Sequence, residues 1–310
     1  MKESVIFSMS HLYRDEFRVR AFAFGQGEKA LCVVGGMRGN EYQQLFICSR
    51  VLNRLKRWEA EGRLAEDRQV LVIPAVNPAS MNIGKRFWPI DNTDINRMFP
   101  GYELGETTQR IAAAVFEAVN KYRVGVQFTS FYMPGEFQPH VQMMRTGYEN
   151  PEKARAFGLP YVVVREPRPY DTTTLNYNWQ IWETEAYSVY SGTTERISLE
   201  GAELAADAVE RFMVQNGLLS GSPASAKPAR VFDYDELLNV STTQAGLYHC
   251  LAARDAHVSA GQPLAEIIDP CTGDCLETLR SPADGTVFFR YGDPLIYSFT
   301  SAFKILRDAN

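Results

Sequence analysis

Apolar positions in the first two thirds of the chain switch repeatedly between the period of a strand and the period of a helix. Ala30 to Gly36 is a short apolar run ending in Gly-Gly, and Tyr42, Leu45, Phe46, Leu52 and Leu55 follow at helical spacing, which predicts strand, turn and helix. Gln69 to Val76 is a second apolar run. Ile111, Val115, Ala118, Val119 and Tyr122 line one face of a further helix, and Val124 to Phe128, Tyr161 to Val164 and Ser188 to Tyr190 read as strands. The last helix runs from Leu199 to Asn216 and is closed by Gly217. This alternation predicts an α/β fold, a mixed sheet flanked by helices, with sites on the loops that leave the strand ends.

The pattern changes after Gly217 to Pro228, a stretch rich in Ser, Ala, Gly and Pro. Beyond Val231 little helical periodicity remains. Gly246, Gly261-Gln-Pro263, Asp269-Pro270, Ser281-Pro282 and Gly285 punctuate short apolar runs instead, which predicts a smaller all-β barrel or sandwich. The expected division is therefore an α/β domain over 1–217, a linker over 218–229 and a β domain over 230–310. Ser281-Pro-Ala-Asp-Gly285 is similar to a turn of lipoyl- and biotinyl-carrier domains, but Lys304 is the sole lysine of this region and lies near its end, so a swinging cofactor is rejected.

Charge and cysteine usage narrow the functional classes. A net charge of -5 with no Lys/Arg-rich block argues against a nucleic-acid partner. No run reaches the roughly 18 apolar residues of a membrane span and Met1 to Phe17 has no apolar core of signal-peptide length, so a cytoplasmic protein without membrane contact is expected. Cys32, Cys48, Cys250, Cys271 and Cys275 are odd in number and scattered, and are read as reduced. Cys271-Thr-Gly-Asp-Cys275 is read as a hairpin turn rather than a metal site, because no second ligand pair accompanies it.

Three loops carry the candidate chemistry. Gly35-Gly-Met-Arg-Gly-Asn-Glu41 ends a strand and opens a helix, presenting Arg38, Asn40 and Glu41. Asn77-Pro-Ala-Ser-Met-Asn-Ile-Gly-Lys-Arg86 follows the next strand, and Asp94-Ile-Asn-Arg-Met-Phe-Pro-Gly101 comes third. Together they resemble the succinylglutamate desuccinylase/aspartoacylase family, zinc carboxypeptidase-like hydrolases of N-acyl amino acids, and the resemblance covers nearly the whole chain.

The resemblance implies a zinc site whose residues have changed. The family writes the first motif as Gly-x-His-Gly-Asn-Glu, with His and Glu as ligands; Arg38 stands at the His position and Glu41 is kept. The second His position corresponds to Thr129, and the general acid/base Glu to Tyr190. Catalytic zinc needs about three protein ligands, and a permanent cation at Arg38 opposes a dication. The anion-binding side is retained by the same comparison: Asn96 and Arg97 match the pair that grips the substrate carboxylate, and Arg86 and Asn77 match further substrate-contacting positions. Asp94 matches the carboxylate that orients the first zinc histidine, so Arg38 is expected to pair with Glu41, Asp94 or both in a metal-free cluster.

The expectation is thus a degenerate member that binds a small carboxylate ligand with no cofactor. The rival is an active metal-dependent deacylase holding zinc through non-standard ligands such as Glu41 and His140, and a third reading is a structural subunit beside an active paralogue. Blander readings apply elsewhere. His140 after Pro139 reads as structural; His11, His249 and His257 are uninformative; Glu183, Glu185 and Glu195 read as solvated surface groups. Trp88, Trp179 and Trp182 read as packing residues, and the Tyr-rich stretch from Tyr170 to Tyr190 as a possible pocket wall.

Overall fold

The computed structural model describes residues 1–11, 14–223 and 225–308. The strands β1 (Lys2–His11), β2 (Arg14–Gly25), β3 (Glu28–Gly36), β4 (Arg68–Ala75), β5 (Val124–Phe128), β6 (Gly135–Phe137), β7 (His140–Met144), β8 (Tyr161–Arg165), β9 (Glu185–Tyr190) and β10 (Arg230–Asp233) alternate with helices. All of them except β6 form one sheet in the order β1-β2-β4-β3-β5-β9-β7-β8-β10. Its centre is parallel, from β4 through β3 and β5 to β9, and the antiparallel pairs are β1 with β2, β2 with β4, and β7 with β9.

The helices are α1 (Tyr42–Ala60), α2 (Pro78–Met81), α3 (Thr107–Val119), α4 (Pro151–Ala154), α5 (Leu175–Ile181) and α6 (Leu199–Gln215). Successive residues of β3 feed opposite faces of the sheet, as the period of a strand demands. Leu31 and Val33 pack with Ile47, Val51 and Leu55 of α1 and with Ala205 and Val209 of α6. Cys32 and Val34 pack on the other face with Ile111 and Val115 of α3 and with Leu175 and Trp179 of α5. A strand buried on both sides reads as an unbroken apolar run, which is why the central strands were legible as such.

The remaining strands are β11 (Leu237–Ser241), β12 (Gly246–Cys250), β13 (His257–Val258), β14 (Pro263–Ile268), β15 (Cys275–Arg280), β16 (Gly285–Tyr291), β17 (Leu295–Ile296) and β18 (Ser301–Arg307). They form two antiparallel sheets, β11-β18-β16-β13 and β15-β14-β12-β17, around a core that includes Val258, Leu264, Ile267, Phe303 and Ile305. Cys271 to Cys275 does close a tight turn, in which Asp269 accepts from the Cys271 and Thr272 amides, and all five cysteines are free.

The expected division at residue 230 needs correction. β10 adds to the large sheet parallel to β8, so the α/β unit takes its last strand from beyond the linker. In return, β6 pairs with β16 of the C-terminal unit. A shared core of Phe137, Val163, Phe232, Leu237, Phe288, Phe289 and Leu306 lies between them. No helix among the described residues is long and apolar enough to cross a membrane.

Candidate anion site

The loops after β3, β4 and β5 converge at the carboxyl ends of the parallel strands, where open α/β sheets place their ligands. Gly39 brings two of these loops into contact. Its amide donates to the Arg86 carbonyl at 3.0 Å, and a Cβ there would lie 2.2 Å from the Lys85 carbonyl oxygen. Only glycine lets Arg86 reach the rim beside Arg38.

Arg38 forms the floor. Its Nε and Nη2 donate to Asp94 Oδ2 at 3.0 and 2.8 Å, and its Nη1 donates to Glu41 Oε1 at 3.1 Å. The side chains are 7% exposed for Arg38 and 1% for Glu41. Burial opposes the guanidinium charge, but Glu41 and Asp94 outweigh it, and the Arg38 pKa is raised. Glu41 also accepts from the Met37 and Arg38 amides at 2.8 and 3.0 Å, and from the Ser130 hydroxyl. A carboxylate has about four lone-pair directions, so Glu41 has none left over. Asp94 spends its other oxygen capping the short turn Ile95–Arg97, accepting from the Asn96 amide at 3.0 Å.

Zinc does not fit this donor set. The position between Glu41 and Asp94 is filled by a guanidinium, the Thr129 hydroxyl turns back to the Gln127 carbonyl at 3.2 Å, and among the described residues no three His, Cys, Asp or Glu side chains converge. His140 lies behind the site. It is buried, its Nδ1 is 2.7 Å from the Gln138 carbonyl, and its ring stacks on Tyr190 with centroids 4.6 Å apart and 5° between planes. Burial pushes its pKa down to about 4, so it is neutral at neutral pH. Tyr190 lines the cavity, and burial raises its pKa, which removes it as a base.

Above this floor lies a cavity of about 370 Å³ lined by Arg86, Asn96 and Arg97 among others. Arg97 is 36% exposed, donates to the Tyr170 carbonyl, sits 5.3 Å over the Tyr170 ring and lies 3.9 Å from Asp171. Arg165 holds Asp171 more firmly, through a bidentate pair at 2.6 and 2.9 Å. Although burial raises the Asp171 pKa, that pair and the Arg168 amide outweigh it, and the net shift is downward. Asn96 is buried, and its Oδ1 accepts from the Leu175 amide at 3.4 Å. Arg86 has no carboxylate partner among the described residues, and burial, with Arg38 adding to it, lowers its pKa to about 10. It remains a charged, poorly compensated cation at neutral pH.

Asn77 departs from expectation. It caps α2 by accepting from the Ser80 amide at 3.2 Å and is 1% exposed, away from the cavity wall. Its side-chain oxygen serves the local need of a helix start, which an Asn-Pro pair itself signals. Several wall residues were not singled out from sequence. Gln127 and Asn176 meet across the cavity wall at 2.6 Å, leaving Asn176 Oδ1 buried and unpaired among the described residues. Arg165, directly after the run Tyr161 to Val164, carried the one usable signal: a charge at a strand's carboxyl end. Of the Tyr-rich stretch, Tyr170 and Tyr190 line the cavity, while Trp88 and Trp179 are core and Trp182 is exposed. Glu185 pairs with Lys153, and Glu195 accepts from Asn40 at 2.7 Å, so neither is merely solvated.

Fold and site together define the class: a mixed-sheet α/β protein with an arginine-rich cavity at its strand ends, walled on one side by a β domain. Residues 27–129, which contain Arg38, Glu41, Arg86, Asp94, Arg97 and Thr129, match the model of the succinylglutamate desuccinylase/aspartoacylase catalytic domain. Over 282 residues the chain is 24% identical to the N-alpha-acetyl-L-2,4-diaminobutyric acid deacetylase of Halomonas elongata, covering 86% of this chain and 78% of that protein. The fold is that of a succinylglutamate desuccinylase from Silicibacter sp. (TM-score 0.82, 18% identity, 98% and 94% of the two chains). It is also that of the product-bound ectoine utilization protein EutE from Ruegeria pomeroyi (TM-score 0.79, 20% identity, 96% and 93%). The likeness to the succinylglutamate desuccinylase/aspartoacylase family that the motifs implied is thus found over residues 27–129 and in the fold.

Proposed function

We propose that this protein binds a small carboxylate-bearing ligand of the N-acyl amino acid type and does not hydrolyse it through zinc. The observation that carries the reading is the Arg38 fork between Asp94 and Glu41, with every lone-pair direction of Glu41 already used. A metal could enter only by displacing a buried guanidinium from two carboxylates. Without it, the buried His140, with a pKa lowered to about 4, is a weak base, and the Tyr190 phenol, its pKa raised, stays protonated, so neither is suited to activate water.

Binding has the parts it needs. Arg97 and Arg86 supply guanidinium donors of the geometry a carboxylate accepts, and a ligand anion compensates the Arg86 charge that burial disfavours. The unpaired Asn176 oxygen offers an acceptor for an amide N–H. The Halomonas relative, by its name, acts on an N-acetylated amino acid, a molecule with both groups.

The test joins metal analysis of untagged protein to thermal-shift measurements with N-acetyl amino acids. Substoichiometric zinc is expected, with a ligand-induced rise in Tm that is lost in Arg97→Ala; saturation at 100 times Kd corresponds to about 2.7 kcal/mol. Stoichiometric zinc that is lost in Glu41→Gln would restore the metal-dependent deacylase reading. Absence of any carboxylate-induced shift would remove the binding claim.

A further inference from the structure

One row across the central sheet breaks the apolar pattern on either side of it. Gln127 on β5, Ser188 on β9 and Gln142 on β7 are register neighbours on three adjacent strands. Their chain neighbours Val126, Phe128, Val141, Met143 and Val189 turn to the opposite face, into the core beneath α1 and α6, so the three polar side chains share the cavity face. The next positions of the same row are Val34 on β3 and Val163 on β8, both fully buried in apolar cores.

These polar groups are buried yet line the cavity. Exposure is 1% for Gln127, 6% for Ser188 and 8% for Gln142. The Ser188 hydroxyl and the Gln142 amide have no hydrogen-bond partner among the described residues. Gln127 is oriented from α5, because the Asn176 side-chain amide donates to its Oε1 at 2.6 Å. That bond leaves the Gln127 N–H groups and the buried Asn176 Oδ1 without a partner among the described residues. If both amides were turned over, the pair would still present one free carbonyl oxygen and one free NH2 group. Buried polar groups without partners are unfavourable, and apolar side chains would continue the row without that demand.

The row is uncharged and offers donors and acceptors together. A carboxylate brings only acceptors and leaves the free oxygen of the Gln127 and Asn176 pair unpaired; an ammonium brings only donors and opposes the free NH2. A carboxamide brings both in one plane. We infer that Gln127, Ser188, Gln142 and Asn176 form a neutral side-chain subsite, so that the ligand is an N-acyl amino acid whose side chain ends in a carboxamide. This rests on the carboxylate-binding reading above and adds to it the chemistry of the ligand's side chain, to which it assigns the Asn176 group.

The experiment is calorimetric titration of the full chain with two matched sets of probes. One set is N-acetyl-L-asparagine, its apolar isostere N-acetyl-L-leucine and its acid N-acetyl-L-aspartate; the other is N-acetyl-L-glutamine, N-acetyl-L-homoleucine and N-acetyl-L-glutamate. In at least one set the amide should bind at least about tenfold tighter than both its isostere and its acid, the scale of one or two net hydrogen bonds. Gln142→Met should bring the ratio of amide to isostere close to one, and Ser188→Ala gives the same reading if Gln142→Met does not fold. Arg97→Ala should weaken every probe and preserve the ratio. Arg97-dependent binding without an amide advantage, or an advantage that survives both row variants, overturns this inference alone. No binding of any probe overturns both it and the carboxylate reading.

Discussion

Arg38 shows how one substitution changes the demands on its neighbours. Two buried carboxylates need a cation; in this chain a guanidinium meets that need by direct hydrogen bonds. Arg38→Gln should therefore cost roughly 3–5 kcal/mol, because it leaves Glu41 and Asp94 buried without a counter-charge. Chemical denaturation would show this as a lower midpoint at unchanged slope. His140 makes a second prediction. Its pKa falls from an ordinary value near 6.5 to about 4 on folding, so between those values the unfolded chain binds more protons. Stability is full above pH 6.5, is lost as pH falls through the unfolded value, and levels off below about 4; the loss amounts to about 2 kcal/mol at pH 5. His140→Phe keeps the aromatic stack and should flatten that part of the stability profile relative to wild type. An identical pH 5 to pH 7 difference in both proteins would disprove the assignment.

At the scale of elements, the third loop is positioned by its ends. Asp94 caps the turn Ile95–Arg97, the Phe99 amide donates to the Thr173 carbonyl at 3.0 Å, and Gly101 lies against α3. Gly101 has φ 94°, and a Cβ there would lie 2.1 Å from the Ala113 amide nitrogen. Gly101→Ala should cost at least about 1–3 kcal/mol and weaken carboxylate binding, since the displaced loop carries Asn96 and Arg97. Unchanged Tm and unchanged affinity together would mean that the loop does not depend on this contact.

For the whole molecule, the exchange of strands is decisive. β10 completes the large sheet, β6 joins the C-terminal one, and Phe137, Val163, Phe232, Phe288 and Phe289 lie in the core they share. The two units should therefore unfold in one calorimetric transition, and a fragment ending at residue 229 should associate through its exposed apolar face. Two well-separated transitions, or a monodisperse, cooperatively folding fragment, would show that each unit stands alone.

The alternation of periods over residues 30–217 was enough to predict a mixed sheet with helices on it, because strands buried on both faces and amphipathic helices each leave a local signature. The three loops were legible because Gly, Pro, Asn and Arg sit there at fixed spacing, and so was the change of character after Gly217. Short strands such as β6 and β7 and the one-turn helix α2 were not, since a few residues carry too little periodicity. What no local pattern holds is partnership across the chain. Arg38 reaches Asp94 over 56 positions, and Lys304 of β18 lines the same cavity as Arg168 in the loop after β8. Sequence determined which charges exist and which segments carry them. Only the tertiary structure decided which charges meet their opposites and which, like Arg86, Arg168 and Lys304, line the cavity without a carboxylate partner among the described residues, because Coulomb energy depends on separation in space and on burial.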